Sequence, residues 1–437
     1  MSYERSLAAA ARLEELVPGG AHTYAKGPDQ YPADCAPLIA RGRGSHVWDV
    51  DGNEYVEYGS GLRSVILGHA HPHVNAAVRD QLDDGSNFVR PSLLELQAAE
   101  DFLAAVPTMD MVKFAKNGSD VTTAAVKLAR AHTGRNLVAI CRDQPFFSTD
   151  DWFIAHTPMA AGIPQPIADL TVDFPYGDLG ALEATFDAHE GRIAALILEV
   201  ESAACQPEAG YLQGLLDLAH RRGALVIFDE MITGFRYALA GAHATHGVIP
   251  DLATFGKAIG NGYAVSALAG RREVMELGGL RTDADRVFLL STTHGAEGTG
   301  LAALRATIEV HRREDVSARL GAVGAQLREA VEGVVAAAGL GEYVQVKGAD
   351  CNLVYVTLDA DHLPSQPFRT LFMRGLIHGG VVGPSFVVST ALSAEDVGRT
   401  AAAVEATLPM YAAALERNDA TPFLGGRSVK PVFRTRA

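Results

Sequence analysis

The chain has 437 residues, of which 48% are hydrophobic and 20% are charged, a composition typical of folded globular proteins and not of disordered or fibrous ones. Its formal net charge of −15 argues against a nucleic-acid partner, because binders of nucleic acid carry a basic domain or stripe. No apolar run approaches the ~20 residues that cross a bilayer, so no membrane partner is expected.

The N-terminus and the cysteines predict a cytoplasmic protein. Residues 1–5, MSYER, lack the basic and apolar regions of a secretory signal. The cysteines are widely spaced and form no CxxC pair, so they predict buried reduced thiols and no zinc site; they are Cys35, Cys141, Cys205 and Cys351.

Both ends of the chain predict a small α+β domain. Residues 40–58 indicate short strands around the turn Asp51-Gly52-Asn53, and residues 1–58 are expected to pack with a C-terminal domain, 319–437. That domain should hold helices over 319–338 and 394–415 and short strands near 343–346, 353–357 and 386–389. The tail after Asn418 is expected to be irregular.

Residues 59–318 predict a large α/β domain. Continuous apolar runs alternate with helical stretches such as 121–131 and 211–222, which indicates a mainly parallel sheet covered by helices on both faces. Ligands of such sheets bind at the carboxyl ends of the strands, so the polar residues after each run are candidate site residues. The runs are Met111–Phe114, Leu137–Cys141, Ile193–Glu199, Ala224–Phe228 and Val287–Leu290.

The first polar segment, Asn117-Gly118-Ser119, lies between a predicted strand and a predicted helix. Free N–H groups and the helix dipole at such a turn favour a phosphate. The alternative is an ordinary helix cap by Ser119 or Asp120. No GxGxxG or Walker A motif lies in this segment, so a nicotinamide or nucleoside triphosphate site is not indicated.

Two further segments each contain a charged residue in an apolar setting. Asp229 follows the run Ala224–Phe228, where a buried carboxylate needs a cation; the alternative is that Asp229 and Glu230 simply meet solvent. Lys257 is one of only seven lysines and has no charged neighbour between Asp251 and Arg271. Burial would lower its pKa and make its amine nucleophilic, unless the side chain extends to the surface.

Together the three segments predict a pyridoxal 5'-phosphate (PLP) site. The turn would hold the phosphate, Lys257 would form the Schiff base, and Asp229 would keep the pyridine nitrogen protonated, so that the ring accepts electrons.

From Pro18-Gly19-Gly20 to about residue 410, the sequence resembles the class III, fold-type I aminotransferases. The branch it resembles most is that of the glutamate-1-semialdehyde 2,1-aminomutases. The matching stretches are WDVDGNEYVEY, LGHAHPHV, KNGSDVTTAAVKLAR, ALVIFDEMITGFR, PDLATFGKAIGNG, and GVVGPS with the later SAEDVGRTAAAVE. His69, His71 and His73 fall in the second stretch, so we interpret them as a backbone element of this family and expect no metal there.

The resemblance implies roles for individual residues. Lys257 would bond to the cofactor and shuttle protons, Asp229 would pair with the pyridine nitrogen, and Gly118 and Ser119, beside Asn117, would hold the phosphate. Met231 would lie against one ring face, and Glu199 would lie near the ring. Thr292 would reach the cofactor of a neighbouring subunit, so the resemblance implies a homodimer with active sites at the subunit interface.

The sequence departs from this pattern at three places. The aromatic-His-Gly segment that supplies the stacking ring is missing, and Phe146 or Phe147 is the candidate replacement. The arginine after PGG is also missing; Lys26 is the nearest cation there, and Arg63 is the alternative anion-binding residue. No C-terminal arginine for an α-carboxylate is evident near Gly383-Pro384-Ser385.

These departures favour an aminotransferase over a true aminomutase. By analogy with its branch, we expect ping-pong transfer of an amino group, from L-glutamate as donor, to a terminal aldehyde or ketone of a polar, sugar-like biosynthetic intermediate. The alternatives are an intramolecular 2,1-aminomutase and a non-catalytic cofactor-binding scaffold.

Overall fold

The computed structural model describes residues 1–435 and contains three sheets. The strands are β1 Ile39–Arg43, β2 His46–Asp49, β3 Glu54–Glu57, β4 Met111–Ala115, β5 Leu137–Cys141, β6 Thr171–Phe174, β7 Ile193–Glu199, β8 Leu225–Asp229, β9 Leu252–Phe255, β10 Ser266–Gly270, β11 Val344–Lys347, β12 Val354–Thr357 and β13 Val381–Val382.

The helices are α1 Glu4–Leu16, α2 Ser60–Arg63, α3 Pro72–Asp84, α4 Leu93–Ala105, α5 Gly118–Thr133, α6 Asp151–Ile154, α7 Gln165–Ala168, α8 Leu179–Ala188, α9 Tyr211–Arg221, α10 Ala242–Thr245, α11 Arg272–Met275, α12 Gly298–Glu314, α13 Val316–Ala337, α14 Gln366–His378 and α15 Ala394–Arg417. Short 3-10 turns cover Pro18–Gly20, Tyr24–Lys26, Pro28–Gln30, Lys257–Gly260, Glu276–Gly278, Asp350–Asn352 and Thr421–Phe423. Within residues 1–435, no helix is long and apolar enough to cross a membrane.

The chain divides into two compact units, and the first is formed by both ends of the chain. It comprises Met1–Gly61, Ile66–His71 and the chain from Ala318 onward. Strands β1, β2 and β3 form an antiparallel meander that β13 joins in parallel, and β11 and β12 form a separate hairpin. The predicted turn at Asp51-Gly52-Asn53 is confirmed, since β2 ends at Asp49 and β3 begins at Glu54.

Helix α13 of the first unit offers a matched pair of glycines for a stability test. A Cβ at Gly324 would overlap the carbonyl oxygen of Asp350, whereas a Cβ at Gly333 would meet nothing. We expect Gly324→Ala to lower the free energy of unfolding by about 3 kcal/mol because backbone cannot move aside cheaply. Gly333→Ala should raise it by about 0.5 to 1 kcal/mol through helix propensity. Urea denaturation of both variants checks this, and equal effects would contradict it.

The second unit, Leu62–Val65 with Pro72–Ser317, is the α/β unit. Its seven strands lie in the order β4-β10-β9-β8-β7-β5-β6, and all are parallel except β10. Every residue of β5, β7, β8, β9 and β10 is buried, as expected for strands covered on both faces. The predicted fold class is therefore confirmed.

Two predicted strands are wrong. Val287–Leu290 forms no strand, because Phe288 is 71% exposed and Leu290 leaves the extended conformation with φ 48°. Residues 386–389 are buried but join no strand ladder; the Val387 carbonyl oxygen accepts one hydrogen bond from the backbone N–H of Gly59 and one from the hydroxyl of Ser60.

Candidate active site

Two acidic side chains lie next to each other where parallel strands end. Glu199 is the last residue of β7, Asp229 is the last residue of β8, and the two are register partners. Register partners on parallel strands point to the same face of the sheet. Their side chains are 6% and 2% exposed, so neither carboxyl simply meets solvent.

Lys257 completes this group from the neighbouring strand. It follows β9 after Gly256 and begins a 3-10 turn with φ 47°. Left-handed backbone at a non-glycine residue is strained and is typical of functional sites. Burial lowers the pKa of Lys257, and the charges of Asp229 and Glu199 oppose that effect only in part.

Burial also shifts the two carboxyl groups. Burial and the neighbouring Asp229 charge raise the pKa of Glu199 to about 7, against the attraction of Lys257 and Arg63. Burial raises the pKa of Asp229 to about 6, although Lys257 and the backbone N–H of Met231 stabilise its anion. The Met231 N–H lies 2.8 Å from Asp229 Oδ1. Strongly shifted groups gathered at one sheet edge are typical of catalytic sites.

The turn before α5 lies at the same edge. Ser266 Oγ donates to the Asn117 carbonyl oxygen at 2.8 Å, and the Thr149 N–H donates to Ser119 Oγ at 2.9 Å. Asn117 is the residue before α5, and Asp120 lies in its first turn. Asp120 caps the helix, since its Oδ2 accepts the Asn117 N–H at 3.2 Å within a capping box. The first N–H groups of a helix have no partner within the helix, so the N–H groups of Gly118 and Ser119 are the donors that this turn can offer to an anion.

Lys116, directly before that turn, is a residue whose role the sequence did not reveal. Its Nζ lies 2.6 Å from Glu297 Oε2 and 3.0 Å from the Ala264 carbonyl oxygen. Burial would raise the pKa of Glu297, but hydrogen bonds from Lys116 and Thr299 hold it at about 2. The resulting ion pair ties the α5 turn to the start of α12.

Met231 fills the space between the α5 turn and the lysine segment. A Cβ at Gly118 would lie 2.9 Å from Met231 Sδ, and a Cβ at Gly256 would lie 2.6 Å from it. Glycine at both positions therefore lets the two loops approach the buried Met231 side chain.

The two candidate aromatic rings differ in exposure. Phe147 is 2% exposed and contacts Phe153 edge-on, whereas Phe146 is 42% exposed. The carbonyl oxygen of Phe147 accepts a bond from Thr122 of α5 at 2.9 Å. Phe146 is therefore the ring with an open face.

The remaining predicted residues lie in different places. Arg63, partly buried, belongs to the second unit, and its charge interacts with Glu199. Thr292 is exposed on a loop whose neighbour Thr293 accepts a bond from Asn87. Lys26 is exposed on the turn Tyr24–Lys26 of the first unit, and its role in substrate binding stays a prediction.

Gln144 and Glu230 hold the backbone around the two carboxyl groups, and no sequence pattern indicated this role. The Gln144 side-chain amide makes two hydrogen bonds to the backbone of Glu199: its Oε1 accepts the Glu199 N–H at 2.7 Å, and its Nε2 donates to the Glu199 carbonyl oxygen at 2.8 Å. Glu230 is fully buried and accepts bonds from the Ala242 N–H, from the His243 N–H and ring Nδ1, and from the Thr233 hydroxyl. Glu230 thus fixes the loop that follows Asp229.

We expect Glu230→Ala to lower the free energy of unfolding by about 3 to 5 kcal/mol, because it leaves several buried hydrogen-bond donors without an acceptor. The surface pair of Glu183 and Arg222, 3.2 Å apart, provides the control, and Glu183→Ala should cost less than about 1 kcal/mol. Guanidinium denaturation midpoints measure both. A Glu230→Ala protein as stable as the control would refute the supporting role.

The sequence of this chain matches a known enzyme family over most of its length. Residues 30–353 match the sequence profile described as Aminotransferase class-III. The chain belongs to the class-III aminotransferase family. Enzymes of this family use PLP, so PLP is the cofactor of this aminotransferase.

Relatives of this aminotransferase include glutamate-1-semialdehyde 2,1-aminomutases. The protein of that name from Anaeromyxobacter dehalogenans strain 2CP-1 is 34% identical over 428 residues, covering 92% of this chain and 97% of its own. Its namesake from Desulforamulus reducens is 37% identical over 287 residues, covering 63% of this chain and 66% of its own.

Solved structures similar to this aminotransferase include PLP enzymes with other names. The FumI protein of Sphingopyxis sp. MTA144, solved in its PLP internal aldimine form, has a TM-score of 0.85 at 26% identity and covers 97% of this chain and 100% of its own. An omega-transaminase from Sphaerobacter thermophilus has a TM-score of 0.81 at 28% identity and covers 95% of this chain and 98% of its own.

The residues of this aminotransferase fit PLP. A partly buried amine, a buried carboxyl group and the first N–H groups of α5 match the aldehyde, pyridine nitrogen and phosphate of the cofactor. Glycines 118 and 256 leave no room for a Cβ beside Met231, so the wall between amine and helix is closely packed. Within residues 1–435, no group of three His, Cys, Asp or Glu could hold a metal ion.

Proposed function

We propose that this PLP-dependent enzyme moves an amino group from L-glutamate to a terminal aldehyde or ketone of a polar, sugar-like biosynthetic intermediate, by a ping-pong mechanism in the cytoplasm. The observation that carries the proposal is Lys257, whose amine shares one strand-end cluster with the buried carboxyls of Asp229 and Glu199. A cluster of this kind suits proton transfer at carbon.

Each residue has a defined task in this proposal. When bound, PLP supplies an aldehyde for covalent attachment and a pyridine ring that withdraws electrons. Lys257 Nζ takes the proton from the substrate carbon and returns it, and the burial that lowers its pKa keeps this amine available as a base. Asp229 would hold a proton on the ring nitrogen, and Met231 would pack against the ring.

The other predicted residues bind and orient. The turn Asn117-Gly118-Ser119 would hold the phosphate through N–H groups, and Phe146 would cover the ring face, since Phe147 is 2% exposed. Glu199 would lie beside the ring, and Arg63 would receive an anionic group of the substrate. Lys26 is the second candidate for that anion.

A homodimer with shared active sites is part of the proposal. Phe88, Val89, Leu93 and Leu96 are exposed by 51% to 100%, and apolar patches of this kind mark protein interfaces. Asn87, directly beside this patch, binds the Thr293 carbonyl oxygen at 3.2 Å. A second copy seated on the patch would meet the loop that carries Thr292, which supports a role for Thr292 at the neighbouring cofactor.

The aminomutase is the second candidate function. It is favoured by the relatives at 34% identity that carry that name. An aminomutase transfers the amino group within one substrate molecule and needs no external donor. Dependence on glutamate therefore separates the two functions.

The test is the visible absorption spectrum of the purified holoenzyme before and after L-glutamate is added alone. We expect the cofactor band to decline, a near-ultraviolet band to grow, and one equivalent of 2-oxoglutarate to be released. Aldehyde acceptors, sugars first, should then restore the original band. A cofactor band that ignores glutamate would favour the aminomutase, and the absence of any band after PLP is added would refute both functions.

A further inference from the structure

The residues before Ser64 form a left-handed turn. Ser60, Gly61, Leu62 and Arg63 have φ angles of 45°, 59°, 61° and 73°. Only glycine adopts this backbone without a steric cost, and left-handed L-residues normally occur singly. A run of this kind persists only where its surroundings enforce it, and such strain concentrates at functional sites.

Two catalytic loops hold the end of this turn in place. Arg236, whose side chain is fully buried, donates from Nη2 to the Arg63 carbonyl oxygen at 3.3 Å. Val65 Cγ2 would lie 3.2 Å from a Cβ at Gly262. The end of the turn is thus hydrogen-bonded to the loop after Asp229, and Val65, two residues later, lies close to Gly262 in the segment after Lys257.

The anchoring loops are strained as well. Phe235, next to Arg236, has φ 62°, and Lys257 and Asn261 have φ 47° and 43°. Left-handed non-glycine residues therefore lie on all three segments that meet here. Strained backbone persists only where the surrounding structure determines it, so the conformation of the turn that carries Arg63 depends on the segments packed against it.

The charge of Arg63 acts on groups of the strand-end cluster. It interacts with Glu199 and with Lys257. Burial lowers the pKa of the Arg63 guanidinium, and the Glu199 charge opposes that effect. A partly buried guanidinium offers a planar pair of donors, which is the geometry that binds a carboxylate with two hydrogen bonds.

We propose that Arg63 is the receptor for a carboxylate of the amino donor, and that Arg236 is a positioning residue that acts through the left-handed turn to hold Arg63 beside Lys257. This inference rests on the proposed aminotransferase function. It names the substrate class as carboxylate-bearing and makes the turn the determinant of that specificity.

Calorimetric titration of the holoenzyme with glutarate, a dicarboxylate without an amino group, tests the receptor. We expect Arg63→Gln to weaken glutarate binding by about 10- to 100-fold and Arg63→Lys to restore it only in part, because lysine lacks the fork. Arg221→Gln, an exposed arginine at the end of α9, is the matched control and should bind as the original protein does. The neutral analogue 1,5-pentanediol should not discriminate between the variants.

A double-mutant cycle tests the positioning role. If Arg236 acts through Arg63, Arg236→Met should weaken glutarate binding on its own but add nothing to Arg63→Gln. Additive losses would show a merely structural role and overturn that part of the proposal. For glutamate, each single variant should raise KM more than it lowers kcat.

If Arg236→Met fails to fold, Leu62→Gly provides a second test of the left-handed turn. Glycine removes the steric cost of the turn, so the variant should fold, yet it should hold Arg63 less firmly and bind glutarate several-fold more weakly. Unchanged binding would overturn the role of the turn. If Arg63→Gln binds glutarate like the original protein while glutamate still bleaches its cofactor band, the receptor is wrong and the proposed function stands; if the original protein shows no glutamate reaction, the function itself fails.

Discussion

Lys257→Ala should reduce amino transfer to less than about one part in 10³ of the original rate. The substitution removes both the covalent attachment and the base that moves the proton, and general acid–base catalysis alone contributes about 10² to 10⁴. Lys116, beside the α5 turn, cannot act as a substitute, since its amine is held by Glu297 at 2.6 Å. Single-turnover release of 2-oxoglutarate from glutamate measures the loss.

Lys347→Ala is the matched control, because Lys347 is an exposed lysine on β11 of the first unit. It should transfer amino groups at the original rate. Lys257→Ala should still fold, because the buried sheet does not depend on this side chain. Its far-ultraviolet circular dichroism should therefore match that of the original protein. Substantial residual transfer by Lys257→Ala would overturn the assignment.

The strands that carry Glu199 and Asp229 could be predicted from the sequence because they are uniformly apolar. Strand β9, which precedes Lys257, and the edge strand β6 were not predicted. Leu137–Cys141 and Ile193–Glu199 have the predicted bounds, as their long apolar runs leave little choice of limits. Ser266–Gly270 was missed because its residues, SALAG, have low strand propensity and enter the sheet only through burial between β4 and β9. Val287–Leu290 has the opposite character, a strand-like composition with an exposed phenylalanine at its centre.

Candidate site residues could be proposed from the sequence where their chemistry is visible in it. A lysine isolated among apolar residues and an aspartate directly after a buried strand are visible as such. The supporting residues could not be predicted. Arg236 contacts the backbone of Arg63, and Gln144 makes two hydrogen bonds to the backbone of Glu199; these contacts depend on the positions of distant loops. The left-handed turn was also invisible, because three of its four residues, Ser60, Leu62 and Arg63, are types that rarely adopt this backbone.

Asp229→Asn should keep the cofactor bound but lower the rate of amino transfer by at least about 10²-fold. An amide cannot hold a proton on the ring nitrogen as a carboxylate does, so the electron-withdrawing form of the ring is lost, and losing one such electrostatic contact costs about 10² to 10³ in rate. The Asp229 carboxyl is 2% exposed and accepts the Met231 N–H at 2.8 Å. Asparagine can accept the same bond through its carbonyl oxygen, so the backbone of the loop should be preserved.

The spectrum and the rate separate binding from chemistry in this variant. The cofactor band should persist, with a changed position, while stopped-flow decay of that band with glutamate slows. Asp187→Asn removes an equally charged but exposed carboxylate, paired with Arg222 at 2.7 Å, and should react at the original rate. Full activity in Asp229→Asn would mean that the strand-end carboxyl does not act on the ring nitrogen, and the electrostatic task would then fall to Glu199, its register partner on β7.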